Sequence, residues 1–164
     1  MNGMRIKYLA SAAAAALFPF LGLALPEADG IGKLEFRKVP ESRSSTAIAR
    51  KGEYLYTCGW SGMTVYDIRK PLEPRPVWSS SRITGGRQMR IENELLYLTA
   101  RENGLWILDI SRPEKPVVVT RFDTTELATG LAVSGPYVFV TERIYGTEIL
   151  NCSDPRNPRF VGMV

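Results

Sequence analysis

The chain has 164 residues, 45% of them apolar and 23% charged, with a net charge of +4 and no histidine. That length suits one ordinary domain with or without a tail, and 14 glycines plus 11 prolines fall short of a disordered composition. The absence of histidine excludes His-based acid–base catalysis, Ser-His-Asp triads and the commonest metal ligand. Two cysteines cannot supply a four-thiolate zinc site or a disulfide framework.

The first element reads as an address. Arg5 and Lys7 precede an uncharged run over residues 8–26, and Gly22-Leu23-Ala24 offers small residues where a signal peptidase reads. A basic start, an apolar stretch and a small-residue exit predict a signal peptide over 1–24, with a short linker over 25–32. The rival reading is an uncleaved membrane anchor, which Pro19 and the alanine richness weaken. No cysteine lies near the exit and no twin-arginine pair precedes it, so general secretion to the periplasm, cell surface or medium is expected. Loss of the leader leaves 19 basic against 17 acidic residues. Such a balance does not make a nucleic-acid footprint, and no nucleic-acid partner is expected.

A repeat organises everything after the linker. YLYTCGWSGMTVYDIRKPLEP, LLYLTARENGLWILDISRPEKP and YVFVTERIYGTEILNCSDPRNP align with Gly62, Gly104 and Gly146 each 42 residues apart. The same spacing joins Asp67, Asp109 and Asn151, then Pro71, Pro113 and Pro155, then Pro74, Pro116 and Pro158. Turn residues Gly52, Asn93 and Gly135 follow at 41 and 42. Each unit reads as four short strands, a to d. In the last, strand a covers 130–133, strand b 137–141, strand c 147–151 and strand d 159–164, rich in the β-branched and aromatic residues strands prefer. Pro-x-x-Pro marks the c–d turn. Leu105-Trp106-Ile107-Leu108 and Val138-Phe139-Val140 are apolar on both sides, which predicts sheets covered on both faces. Stacked four-stranded sheets of this period predict an all-β fold of β-propeller-type repeats, about three blades of roughly 42 residues. The blades should fill 45–80, 87–122 and 129–164.

Aligning Phe36 with Val77, Val119 and Val161 makes 33–39 a lone strand d before the first blade. The domain is then 33–164, and three blades are fewer than known closed rings use. The array reads as a partial, C-terminally truncated propeller, or as a chain that pairs with a second copy into a six-bladed ring with exchanged edge strands.

The stretches GLWILDISRPEKP and GTEILNCSDPRNP, each followed by an apolar strand, resemble the LVIVD repeat family, whose pattern is Leu-Val-Ile-Val-Asp-x-Ser-Asp-Pro-x-x-Pro. The resemblance covers 34–164 and implies a secreted β-propeller of bacterial or archaeal type. Unit 1 departs from it: Ile68-Arg69-Lys70 replaces the Ser-Asp pair, and unit 3 has Asn151 for the aspartate. Kelch-type and WD-type repeats are the runners-up. The WD type needs a Gly-His dipeptide this chain cannot supply.

In such a fold the b–c and d–a loops gather at the channel mouth, and varied loop residues are free to recognise something. The candidate ligand-binding residues are Trp60, Arg87, Arg101, Glu102, Asn103, Arg143 and Tyr145, types enriched at binding hot spots among them. The expected structural turn residues are Gly62, Asp67, Pro71, Gly104, Asp109, Pro113, Gly146, Asn151 and Pro155, with the carboxylates hydrogen-bonded to turn amides. Glu126 and Glu142 read as scattered acids rather than an acid–base pair. No catalytic residue, metal site or cofactor is expected. Cys58, placed after strand b, and Cys152, placed at the end of strand c, read as free buried thiols too far apart to bond. The expected function is a non-catalytic binding or scaffold module for a protein or glycan partner. Its rivals are a channel-centred hydrolase or lyase completed by missing blades, and an envelope protein anchored by its leader; a homodimer is the partner if two copies close the ring.

Overall fold

The computed structural model describes residues 44–164; the leader, linker and lone strand d expected over 1–39 lie outside the described residues. Among the described residues, twelve strands form three four-stranded antiparallel sheets, each in simple chain order. Blade 1 is β1 (Ala47–Lys51), β2 (Tyr54–Gly59), β3 (Gly62–Asp67) and β4 (Arg75–Ser80). Blade 2 is β5 (Gln88–Glu92), β6 (Leu95–Thr99), β7 (Leu105–Asp109) and β8 (Val117–Phe122). Blade 3 is β9 (Ala128–Ser134), β10 (Tyr137–Glu142), β11 (Thr147–Asn151) and β12 (Arg159–Met163). The described residues contain no helix. The fold is all-β, with three propeller-type blades. Strand a of blade 3 begins two residues before the expected Gly130, and strand d ends one residue before Val164.

The local geometry repeats as faithfully as the sequence. Each a–b hairpin closes through two residues, and the first of them, Gly52, Asn93 or Gly135, has a φ of 56°, 54° or 55°. Two-residue hairpins need positive φ there to match the strand twist, which glycine and asparagine tolerate. Each c–d pair slips register at one place: between Val65 and Tyr66, between Ile107 and Leu108, and between Ile149 and Leu150. Such a bulge bends the outer strand and increases its twist.

Strands a of neighbouring blades lie beside one another, β1 against β5 and β5 against β9, so the sheets fan from a shared inner edge. Register pairs Tyr56 with Val65 and Cys58 with Met63 on the front face of blade 1. That face packs on Met89, Leu96, Leu98 and Leu108 at the rear of blade 2. The front of blade 2, with Tyr97, Leu105 and Ile107, packs on Leu131, Val138, Val140 and Leu150 at the rear of blade 3. Burying an aliphatic or aromatic side chain contributes roughly 1.5–3 kcal/mol each, so these two layers outweigh the sparse polar ties between blades. Those ties include Thr46 Oγ1 donating to the Gly86 carbonyl, and the Leu131 amide donating to Gln88 Oε1 at 2.9 Å.

Three expectations need correction. The sheet of blade 3 is not covered on both faces: Val138 and Val140 are buried, whereas Phe139 is half-buried and Tyr137 and Thr141 are exposed. The apolar run alone does not reveal that the front of blade 3 has no blade against it among the described residues. Cys58 lies inside β2, paired with Met63, rather than after the strand. Cys152 follows β11, where its amide donates to the Pro136 carbonyl at 2.7 Å. Both cysteines are free and buried, and burial pushes each thiol up to about 11.

Candidate functional site at the mouth end

The b–c loops enter strand c through a glycine in every blade, with φ of 130° at Gly62, 67° at Gly104 and 107° at Gly146. A Cβ at these positions would collide with the carbonyl oxygens of Ser80, Phe122 and Val164, near the end of strand d of the same blade. The 42-residue glycine column therefore marks a close backbone approach as well as left-handed geometry. It fixes where each b–c loop springs from, while the loop itself varies.

The loops of blades 1 and 2 meet. The Gly85 amide donates to the Gly59 carbonyl at 3.0 Å, and Asn103 Nδ2 lies 3.4 Å from both Thr84 oxygens. The Arg101 guanidinium carbon sits 5.1 Å from the centroid of the Trp60 ring, and its Nε is 3.4 Å from Glu102 Oε1. Arg101 itself has φ 48°, and its backbone pairs with Ala128 of blade 3 in an isolated bridge. One residue thus joins all three blades: main chain to blade 3, side chain to blade 1. A cation over an indole face at such a site contributes roughly 0.5–1 kcal/mol.

Blade 3 is built differently. The segment linking β8 to β9 rests on two carboxylates, Glu142 and Glu148, that are 3% and 2% exposed. Glu142 Oε1 accepts the Glu126 amide at 2.9 Å, and Glu148 Oε1 accepts the Thr125 amide at 3.1 Å and its hydroxyl at 2.5 Å. The Glu126 side chain holds Arg143, accepting its amide at 3.0 Å and pairing with its guanidinium at 3.0 Å. Burial, with the neighbouring Glu148 charge adding to it, pushes the Glu142 carboxyl above the usual range. The remaining oxygens, Oε2 of Glu142 and of Glu148, are buried without a hydrogen-bond partner. These groups hold backbone; they do not open onto solvent.

Of the seven candidate residues, Trp60, Arg101, Glu102 and Asn103 form one connected group across blades 1 and 2. Arg143 belongs to a second group on blade 3 with Glu126. Tyr145 and its neighbour Ile144 stand exposed on the same loop, and Arg87 is exposed at the head of β5. The sequence reading missed Glu148 and treated Glu126 and Glu142 as unrelated. The available signal was a charged residue inside an apolar strand c, where the sister positions are Thr64 and Trp106. Among the described residues, no three acidic or thiol side chains converge to hold a metal ion.

The opposite end carries the expected turns. Asp67, Asp109 and Asn151 each accept the amide two residues on, from Arg69, Ser111 and Ser153, at 2.8–2.9 Å. Each proline then occupies the second position of a turn closed by Glu73 to Lys70, Lys115 to Arg112 and Asn157 to Asp154. The Arg69 side chain holds the Asp67 carboxyl down at about 2. Shallow depressions lie here, lined by Asp67, Arg69 and Arg75 in blade 1 and by Asp109, Arg112 and Lys115 in blade 2. They are the hollows of the turns themselves.

This strand-c signature, followed by the Asx turn and the two prolines, matches the family model of the LVIVD repeat at residues 90–124 and 127–164. Blades 2 and 3 are LVIVD repeats. Blade 1 lies outside the matched residues, in keeping with its Ile68-Arg69-Lys70 departure. No curated protein matches the chain. Among solved structures, the chain is similar to the computationally designed Ika4 protein, with a TM-score of 0.60 at 11% identity over 76% of this chain and 75% of that one. It is also similar to the computationally designed Ika8 protein, with a TM-score of 0.58 at 11% identity over 73% of this chain and 36% of that one. At such identity the likeness concerns the fold alone.

Proposed function

We propose that the chain is an exported, non-catalytic binding module whose mouth-end loops dock a protein or glycan partner. The observation that carries this reading is the exposure of Trp60, Ile144 and Tyr145, at 58–66%, on loops that differ between blades. Large apolar side chains held out by a rigid frame, with Arg101 and Arg143 beside them, have the composition of recognition surfaces. The basic, apolar leader pattern supports export, and the two arginines each already have an acidic neighbour on the same end. Glycans stack on exposed aromatic rings, and protein partners bury the same rings at interface centres.

The test is a binding screen of the purified chain against immobilised glycans and against separated envelope proteins. Trp60→Ala and Tyr145→Ala should lose any partner found, and a variant of the opposite end, Arg112→Ala, should keep it. Retention by both mouth variants would overturn the reading.

A further inference from the structure

The two carboxyls beneath the β8–β9 segment are the least satisfied polar groups that blade 3 buries. Glu142 ends β10, and Glu148 lies in β11 opposite Val140. Both therefore stand on the rear face with Val138, Val140 and Leu150, as diagonal neighbours across one strand pair. Their Oε1 atoms accept consecutive amides, those of Glu126 and Thr125. Their Oε2 atoms are buried and have no hydrogen-bond partner among the described residues. An ionised carboxylate only accepts, so two such oxygens cannot satisfy one another, whereas a protonated carboxyl has one donor to offer. A buried, unpaired carboxylate is costly enough that the group takes up a proton instead.

The surroundings supply no other counter-charge. The cations of the adjoining elements are engaged: Arg143 with Glu126 at 3.0 Å, Arg101 with Glu102 at 3.4 Å, and Arg121 with Asp123 at 3.5 Å. A bound metal ion needs more converging oxygens, and among the described residues no third acidic or thiol side chain completes a set. The sister positions of Glu142 are Gly59 and Ala100, and those of Glu148 are Thr64 and Trp106, so the pair belongs to blade 3 alone among the described blades. We propose that Glu142 and Glu148 hold one proton between them, carried on Glu142 Oε2 and donated to Glu148 Oε2, and that this shared proton latches the β8–β9 segment to blade 3. Glu148 is the anion of the pair, because the amide and the hydroxyl of Thr125 both converge on it. The upward displacement of the Glu142 carboxyl by burial, with the Glu148 and Glu126 charges adding to it, agrees. Removing the proton leaves two adjoining buried anions. Glu142 then turns to water, the Glu126 amide loses its acceptor, and the segment that holds Arg143 through Glu126 loosens. A group raised in the folded state stabilises it in acid and ceases to do so as pH rises through the raised value, so the latch is closed in acid. It acts on the blade 3 loop whatever the mouth binds.

The experiment is amide hydrogen exchange by NMR on the purified chain, with rates corrected for intrinsic pH dependence, beside carbon-13 spectra of glutamate-labelled protein. From about pH 5 to about pH 8, protection of the Thr125 and Glu126 amides should fall by about tenfold while amides of blade 1 keep theirs. The Glu142 carboxyl should give a protonated signal at the acid end. Glu142→Gln keeps the acceptor and makes the donor permanent, so its protection should stay at the acid value throughout. Glu126→Gln should retain the pH dependence; its loss would make Glu126 the titrating group and overturn the proposal. So would flat protection in the parent, or restoration of protection at high pH by added calcium, which would put a cation in place of the proton. If Glu142→Gln does not fold, the carbon spectra of the parent decide: an ionised Glu142 at the acid end overturns the proposal.

Discussion

The c–d turns and the b–c loops close the same strands at opposite ends of each blade, and they are held by different kinds of bond. At the turn end, three side-chain oxygens accept three amides at one offset, and three prolines sit in three equivalent turns, all within a single blade. At the mouth end the glycine column repeats, with the Gly104 and Gly146 carbonyls accepting the Ala100 and Glu142 amides at 2.8 Å. The side-chain contacts that hold the loops do not repeat: Arg101 lies over Trp60, and Glu142 and Glu148 support the segment that leads into β9. The difference teaches that repetition in this chain records intrablade backbone geometry, and that each mouth loop is set by its particular neighbours.

Glycine substitutions probe that division with the largest effect. Gly104→Ala should cost at least about 3 kcal/mol in urea unfolding, since left-handed strain and a collision with the Phe122 carbonyl act together. Gly135→Ala, with nothing near its Cβ, should cost only about 1 kcal/mol of strain. Equal costs would mean that close approach does not explain the glycine column. At the turn end, Asn151→Ala removes one hydrogen-bond acceptor and should cost about 1 kcal/mol, whereas Asn151→Asp keeps the acceptor and should be near neutral.

Acid should push the two ends in opposite directions. Asp67 is held at about 2, below its ordinary value, so it contributes stability above roughly pH 4 that is lost as pH falls toward 2. Glu142 is raised by burial, so its contribution is present below the ordinary glutamate value and lost as pH rises through the raised one. Thermal melts of Asp67→Asn and Glu142→Gln across acid pH should flatten opposite slopes of the parent profile. Trp60→Ala should cost only about 0.5 kcal/mol, because the ring is mostly exposed and loses chiefly its cation contact. A large loss there would place the mouth loops among the fold's supports rather than its recognition surface.

Most of the frame was legible in the sequence because its determinants are local. A left-handed hairpin residue, a proline at a turn and an Asx acceptor each act within a few positions, and each leaves a column at constant spacing. The strand bounds of blade 3 follow the expected ones within two residues for the same reason. The mouth was legible only as loops. Arg101 owes its left-handed φ and its place to Ala128 and Trp60, which lie 27 and 41 positions away. Glu148 went unread in strand c because its partner, Thr125, belongs to the segment above it. Val138-Phe139-Val140 predicted a doubly covered sheet, since an apolar run states what a face is suited to and not what stands against it.

The register slip between strands c and d recurs at Val65, Ile107 and Ile149, in step with the period. Each module therefore carries its own curvature in its own stretch of coding sequence, and no neighbour has to impose it. Duplication or deletion of a whole 42-codon block would leave every surviving blade correctly shaped, whereas an in-frame change of a few codons within strand c would unpair the slip and spoil one blade while sparing the rest.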